Sequence, residues 1–570
     1  MERRAKISIT KSLFDGHIEK NIVFPFPKQR EEEREIVGEL LEAWKKFSKE
    51  KINPAKMDEE GRIPENVIKE MANLGFLGIS IPEDYGGAGL SQWANCQVME
   101  ALAVTDASLA TFFGAHLSLC SKGILYHGNE EQKKKFLPLL TGGEKIGAYA
   151  LTEASAGSDP SSIKTSAKPT EDGKYYILNG TKQFITNGGY KGIYLVFART
   201  EDDKITGFIV PGDSEGLTVS KEEKKMGIKA SSTSEIVLDN VKVPSENILG
   251  EKGHGMRIAL EILDWGRLGL AAGCTGGAKA LTRMASDYAS QRVQFGSPIS
   301  NFELIKKKIA HMAFLSYAME SMVYLTASIS ENPDLDFSLE SSICKTFCSE
   351  GLWEIANEAL QIAGGYGYIQ EYPYEKVVRD ARINTIFEGT NEIQRMFISL
   401  YGIKEIGDYL KRVGKAIQSP FSSLGVLKDF ALKEVKKRIA KEKIEGISDV
   451  LKRERKILED YVHELGLRTE GIIKKYGKKI VEREYIQERL SDIAIYLYGM
   501  LATLSRTDTL IKTKGKEACR HEINLCKAFF FHARKHIRHR LSYLERNIDK
   551  TWSSISDWVV ENKEPYKFFL

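Results

Sequence analysis

The stretch Tyr175-Tyr176-Ile177-Leu178-Asn179-Gly180-Thr181-Lys182-Gln183-Phe184-Ile185 is where a helical sequence gives way to a β one. β-favouring residues flank Asn179-Gly180, a dipeptide suited to a two-residue turn, so the segment predicts a hairpin. Period-two patterning continues in Gly192-Ile193-Tyr194-Leu195-Val196-Phe197-Ala198 and Gly207-Phe208-Ile209-Val210. Glu235-Ile236-Val237-Leu238 then precedes a second turn signal, Asp239-Asn240. Short strands with regular turn signals predict a small barrel or sandwich.

On either side the period is helical. Ile36, Val37, Leu40, Leu41, Trp44 and Phe47 share one helix face, and Pro82 with Gly86-Gly87-Ala88-Gly89 breaks the pattern. Beyond the β-region, long helices are predicted from Gly255 towards Ser290, from Phe302 to Ile329 and from Leu339 to Ala363. A further helix-rich stretch, dense in Lys and Arg, follows residue 405. The expected fold class is α+β, mainly α, with domains at 1–145, 146–255, 256–405 and 406–570. This is not the alternation of a dinucleotide-binding βαβ fold.

The 570 residues are too many for one core, and a net charge of +4 gives no reason to expect nucleic-acid binding. Seven widely spaced cysteines predict reduced thiols, and Cys344 with Cys348, at i, i+4, reads as a buried structural pair. No apolar signal core follows the basic start Met1-Glu2-Arg3-Arg4-Ala5-Lys6, and no run is apolar enough to span a membrane. The expectation is a cytoplasmic protein with no signal or clear transit peptide. Phosphate-loop, HExxH, G-x-S-x-G and zinc spacings are missing, so no metal is expected. His116, His254 and His311 stand alone in sequence; His532 and His536 share a basic face and read as solvated.

Four separated segments carry chemistry. They are Tyr149-Ala150-Leu151-Thr152-Glu153-Ala154-Ser155-Ala156-Gly157-Ser158-Asp159; Gln183-Phe184-Ile185-Thr186-Asn187-Gly188-Gly189; Arg292-Val293-Gln294-Phe295-Gly296 with Gln361-Ile362-Ala363-Gly364-Gly365; and Asp380-Ala381-Arg382-Ile383-Asn384-Thr385-Ile386-Phe387-Glu388-Gly389-Thr390. A loop rich in Gly and Ser presents backbone donors to a flavin edge or a phosphate, and the planar fork of Arg suits a diphosphate.

In this order and spacing the segments resemble the acyl-CoA dehydrogenase family. The resemblance is closest to the very-long-chain branch with its complex-I-assembly relative. It extends to Val23-Phe24-Pro25-Phe26-Pro27, Lys224-Lys225-Met226-Gly227-Ile228-Lys229-Ala230, Val243-Pro244-Ser245-Glu246-Asn247 and the extension beyond 405. It implies an N-terminal helical domain, a middle β-barrel, a helical bundle and an extra C-terminal helical domain. It also implies FAD held by Tyr149, Leu151, Thr152, Gly157, Ser158, Phe184, Ile185, Thr186, Thr390 and Glu392. Phe184 stands where the family most often has Trp. A second subunit would supply Arg292, Gln294, Phe295, Phe302, Gln361, Gly364 and Gly365, which makes the protein an oligomer, expected to be a homodimer.

The reaction so implied is α,β-dehydrogenation of a fatty acyl-CoA to the trans-2-enoyl-CoA, the first step of β-oxidation, with electrons passed to electron-transfer flavoprotein. Glu388 would be the base, and Phe387 and the acyl chain would exclude water and raise its pKa. Ser158, Asp264, Arg267, Gly389 and Phe387 are the implied substrate contacts; a buried arginine paired with a carboxylate is the other reading of Arg267. Ala110 and Gly114, at i, i+4, would leave a deep channel for long or very long chains, or would serve close helix packing. Leu427, Phe430, Ala431, Val435 and Ile439 form an apolar stripe opposite Lys433 and Lys436. Residues 420–440 therefore fit either a helix docked on its own domain or peripheral contact with an anionic membrane. Two other functions share these motifs: an acyl-CoA oxidase, and an assembly or scaffold protein that keeps the flavin fold.

Overall fold

The computed structural model describes residues 6–418 and 441–562. Its main helices are α1 (Glu31–Lys51), α2 (Gln92–Thr105), α3 (Ala107–Phe113), α4 (Gly255–Gln291), α5 (Glu303–Ser330), α6 (Ser338–Ala363), α7 (Pro373–Arg382) and α8 (Asn391–Gln418). They are followed by α9 (Lys452–Tyr476), α10 (Glu484–Lys514), α11 (Arg520–Glu545) and α12 (Asp549–Asn562). The three long helices expected after the β-region are α4, α5 and α6. The 405/406 boundary expected from sequence falls inside α8, which runs on through it.

Helices α4 and α6 are buried along most of their length and form the centre of the bundle. Small residues let α4 and α6 pass close to their neighbours. A Cβ at Gly276 would lie 2.6 Å from the Glu100 backbone on α2, and one at Gly351 would lie 3.0 Å from Met319 Sδ on α5. Cys344 and Cys348 are buried free thiols on α6, as are the other five cysteines elsewhere.

The middle region is one eight-stranded sheet in the order β6-β7-β3-β2-β4-β5-β8, with β1 paired parallel to β4. The strands are β1 (Gly147–Ala150), β2 (Ser166–Pro169), β3 (Tyr175–Thr186), β4 (Ile193–Arg199), β5 (Ile205–Pro211), β6 (Leu217–Val219), β7 (Thr233–Pro244) and β8 (Ile248–Leu249). The predicted hairpin is absent, because Tyr175 to Thr186 is a single strand. Asn179-Gly180 and Asp239-Asn240 are facing irregularities in the β3–β7 ladder, not turns. The Asn240 N–H donates to Asn179 Oδ1 at 2.9 Å, and Asn240 takes φ +53°. Gly180 is required there, since a Cβ would lie 2.5 Å from Thr165 Oγ1. The turn signal records left-handed backbone correctly, but a bulge uses such backbone as readily as a hairpin does.

The C-terminal helices are tied in by the N-terminal arm. The Phe26 N–H donates to Thr509 Oγ1 at 2.8 Å, and Ser505 donates to the Val23 carbonyl. A Cβ at Gly466 on α9 would lie 2.6 Å from Gly16 Cα. His532 and His536 do not stand in a purely solvated basic face. The His532 ring lies 5.2 Å from His311 and 4.5 Å from His536, and His311 Nε2 is 2.9 Å from the Glu354 carboxylate. Burial, with His536 and His311 adding to it, pushes His532 down to about 4. The amphipathic stripe of 420–440 lies outside the described residues. Among the described residues no helix is long and apolar enough to cross a membrane, and no cluster of three His, Cys, Asp or Glu could hold a metal ion.

Candidate active site

Between α7 and α8 the chain makes a tight loop around Glu388-Gly389. Both residues have left-handed backbone, φ +59° and +85°. That conformation is strained for a glutamate and persists only where the surroundings hold it. Three side chains do so. Gln394 Nε2 donates to the Glu388 carbonyl at 2.9 Å, with Arg267 Nε at 3.4 Å. Lys345 Nζ donates to the Gly389 carbonyl at 2.8 Å and to Asn391 Oδ1 at 2.7 Å. The Glu388 N–H meets no acceptor among the described residues, whereas the Phe387 N–H bonds to Ile383.

The Glu388 carboxylate faces a cavity of about 500 Å³. Its Oε2 is buried with no hydrogen-bond partner among the described residues. Burial raises its pKa to about 7, while the cations of Arg267 and Lys345 pull it back. The same burial pulls the Lys345 amine down to about 8. Room for the carboxylate comes from Gly266, where a Cβ would lie 2.9 Å from Oε2.

One end of the cavity is walled by Tyr149, Leu151, Thr152, Phe184 and Thr186 from the sheet. Phe184 sits at an irregularity of β3 with φ +58° and is 58% exposed, so it is not a core strand residue. The neighbouring Ile185 points into the sheet core. An exposed aromatic in strained backbone, two threonine hydroxyls and Tyr149 make a wall that fits the face and edge of an isoalloxazine ring. Behind it the buried Lys182–Glu153 pair fixes the wall: Lys182 Nζ lies 2.7 Å from Glu153 Oε1 and donates to the Leu151 carbonyl at 3.1 Å.

From Glu388 the cavity runs between α3 and α4. Ala107, Ala110, Gly114 and Ala115 line it on one side, and Gly273, Gly277 and Ala280 on the other. From Gly266, beside the Glu388 carboxylate, the lining positions on α4 extend to Met284, about 27 Å of helix. That is close to the hydrocarbon thickness of a bilayer, so the cavity is deeper than one leaflet's acyl chain.

Of the residues predicted from sequence, Glu388, Gly389, Phe387, Tyr149, Leu151, Thr152, Phe184, Thr186, Ala110 and Gly114 line this cavity. Gly157 and Ser158 do not; they lie on an exposed loop. Asp264 and Arg267 lie behind the catalytic loop. Arg267 is buried and donates to Asp264 Oδ1 at 2.9 Å, which is the paired-arginine alternative considered for it. Thr390 and Glu392 open α8 and are not on the wall. Arg292, Gln294, Phe295, Phe302, Gln361, Gly364 and Gly365 are exposed, away from this cavity. Phe295 is 96% exposed with φ +54° and packs only edge-on against Phe302, their rings 6.1 Å apart. Arg292 lies over the Tyr366 ring at 5.6 Å. Sequence reasoning missed Gly266 as the residue that makes room, and Lys345 and Gln394 as the loop's anchors. A lysine inside the otherwise small and apolar run Ser341–Cys348 is the one signal that could have pointed to Lys345.

A helical bundle carrying a glutamate whose Oε2 is buried without a hydrogen-bond partner among the described residues, joined to a β-sheet wall fit for a flavin, describes a flavin-dependent oxidoreductase, and known proteins agree. The model "Acyl-CoA dehydrogenase, N-terminal domain" matches residues 32–144, the "middle domain" model 148–241 and the "C-terminal domain" model 253–400. "ACAD9/ACADV, C-terminal domain" matches 449–565. The very long-chain specific acyl-CoA dehydrogenase of Macaca fascicularis is 38% identical over 97% of this chain and 87% of its own length. An acyl-CoA dehydrogenase of Bacillus subtilis is 43% identical over 62% of this chain and 94% of its own. The acyl-CoA dehydrogenase of Bacillus anthracis, solved with FAD, superposes with a TM-score of 0.80 at 32% identity, covering 97% of this chain and 94% of that one. The chain belongs to the acyl-CoA dehydrogenase family: it is an FAD-dependent oxidoreductase acting on acyl-CoA, with the extra C-terminal domain.

Proposed function

We propose that this protein converts long and very long acyl-CoA thioesters to their trans-2-enoyl forms, with Glu388 as the base and electron-transfer flavoprotein as the electron acceptor. The observation that carries this reading is Glu388 Oε2, buried without a hydrogen-bond partner among the described residues, on a carboxylate that faces a deep cavity lined in part by Ala110, Gly114, Gly273 and Gly277. FAD bound against Tyr149, Thr152, Phe184 and Thr186 supplies the hydride acceptor. Glu388 removes the α-proton and holds it as a neutral acid, a form that burial already favours. An α-proton is too weakly acidic for a carboxylate alone, so the thioester oxygen needs a donor, and the free N–H of Glu388 is suited to that. Phe387 and the acyl chain exclude water.

Long chains fit because no bulky or polar side chain closes the cavity at Ala110 or Gly114. The exposed group of Arg292, Phe295, Phe302 and Gly364-Gly365 is assigned to a second copy's cofactor, which makes the active form a homodimer. Anaerobic titration of the flavoprotein with acyl-CoAs of increasing length tests the reading. Flavin bleaching should persist to chains beyond sixteen carbons and be lost in Glu388→Gln; no bleaching by any acyl-CoA would reject it.

A further inference from the structure

The loop that carries Glu388 is held through Lys345, and Lys345 is one link in a longer chain of polar contacts. Its Nζ donates to the Gly389 carbonyl at 2.8 Å and to Asn391 Oδ1 at 2.7 Å. The other end of the Asn391 amide is also used: Nδ2 donates to Ser349 Oγ and to Glu350 Oε1, each at 3.0 Å. Glu350 receives the fork of Arg395, with Nη1 at 2.7 Å from Oε1 and Nη2 at 2.9 Å from Oε2. Arg395 lies one turn beyond Asn391 on α8, so the two share a face. Its Nε donates to Asp492 Oδ1 at 2.7 Å. Asp492 belongs to α10 in the extra C-terminal domain, and its Oδ2 lies 2.7 Å from Arg540 on α11.

Each link restricts the next. Lys345 ends a flexible stem, so its ammonium is aimed by the acceptors placed around it. A flipped Asn391 amide would turn its N–H groups on that ammonium, donor against donor. The Glu350 side chain is 44% exposed, and a lone carboxylate there would be free to turn. The Arg395 fork grips both of its oxygens, a two-bond geometry that fixes its plane. Among the described residues Arg395 pairs with two carboxylates, Glu350 and Asp492, and Asp492 is the buried one. The left-handed backbone at Glu388 and Gly389 persists only while such partners hold it.

Resting on Glu388 as the base, we infer that Asp492 is a positioning residue for the reaction: through Arg395, Glu350, Asn391 and Lys345, the C-terminal domain holds the loop that aims the Glu388 carboxylate. Asp492 lines neither the cavity nor the flavin wall. Cutting the chain there should therefore slow the chemical step and leave substrate and flavin binding alone.

Flavin reduction by hexadecanoyl-CoA, followed anaerobically by stopped flow in the FAD-loaded enzyme, tests this in a double-mutant cycle of Asp492→Asn and Lys345→Met. Asp492→Asn should lower the limiting rate about ten- to hundredfold, the cost of a misplaced reacting group, with half-saturation and the flavin spectrum unchanged. In the Lys345→Met background the same substitution should lower it by no more than about twofold, because the chain is already cut. A merely structural aspartate would slow both backgrounds alike. Losses that multiply, or a limiting rate that Asp492→Asn leaves within about twofold of wild type, would overturn the inference. Where Asp492→Asn fails to hold FAD, Arg395→Lys takes its place in the same cycle with the same two readings, since it keeps the charge and loses the fork. A wild-type limiting rate that survives Glu388→Gln would instead count against the base on which the inference rests.

Discussion

Gly266 and Glu388 are matched across the bundle: a Cβ on Gly266 would stand 2.9 Å from Glu388 Oε2, 3.1 Å from its Cδ and 2.6 Å from Leu119 Cδ2. The carboxylate therefore occupies space that α4 leaves by carrying no side chain there. Gly266→Ala adds a good helix former in a helix interior, worth up to about 1 kcal/mol, and so offsets part of the clash with Leu119. Its effect on the reaction should be far larger. The expected result is a thermal midpoint within a few degrees of wild type with kcat/KM lowered at least tenfold, measured by melting and by turnover of hexadecanoyl-CoA.

Glu388→Gln keeps the shape and removes the base. Turnover should fall by about 10²–10⁴-fold, the usual contribution of a positioned base, while FAD stays bound. Wild-type kcat/KM should rise with pH through about 7, as the free carboxyl ionises. The stability sign is opposite to the usual carboxylate case. The folded pKa lies above the ordinary glutamate value of about 4.5, so between about 4.5 and 7 the folded state holds the proton that the unfolded state has lost. Wild-type stability therefore declines across that window, and Glu388→Gln should become progressively more stable than wild type as pH rises through it. Melting curves of both proteins from pH 4.5 to 8 check this; a constant gap would show that Glu388 is not desolvated.

Lys345 holds the Gly389 carbonyl and places a cation near Glu388. Lys345→Met removes both. The lost cation should move the midpoint of the kcat/KM profile upward, and the lost hydrogen bond should loosen the loop. A merely structural lysine would lower the rate without moving the midpoint, so the pH profile separates the two.

How far the sequence could be read follows from what each signal depends on. The order of helix, strand and helix follows from periodicity, whereas Glu388 is singled out by the resemblance that four separated segments carry together, since a glutamate beside a glycine says little alone. Phe184 shows where that reading stopped. Its strand was predicted, but its 58% exposure depends on an irregularity against β7, a partner some fifty residues further on. Asn179-Gly180 failed for the same reason, since left-handed backbone does not say whether the chain reverses or bulges. Arg267 required its surroundings too, because only the fold shows Asp264 and the Glu388 carbonyl taking its donors.

Phe184 also gives a prediction of its own. It is exposed and strained, so the apoprotein gains little from it, and Phe184→Ala should leave the melting temperature of the apoprotein within a few degrees. FAD should be held more weakly, by the roughly 1 kcal/mol or more that an aromatic contact contributes. Fluorescence titration of apoprotein with FAD reads this as an increase in Kd of about fivefold or more. An unchanged Kd would mean that Phe184 does not wall the flavin.

Chain-length selection should lie with Ala110, which borders the cavity one helical turn from Gly114. Ala110→Phe places a ring in the cavity that Glu388 faces. Because the reacting end of the substrate is bound well before that point, short thioesters should suffer least. The expected result is a fall of at least tenfold in kcat/KM for hexadecanoyl-CoA relative to that for hexanoyl-CoA, with the flavin spectrum unchanged. Equal losses for both substrates would mean that Ala110 serves the packing of α3 on α4 and not the acyl chain, the alternative that its spacing with Gly114 leaves open.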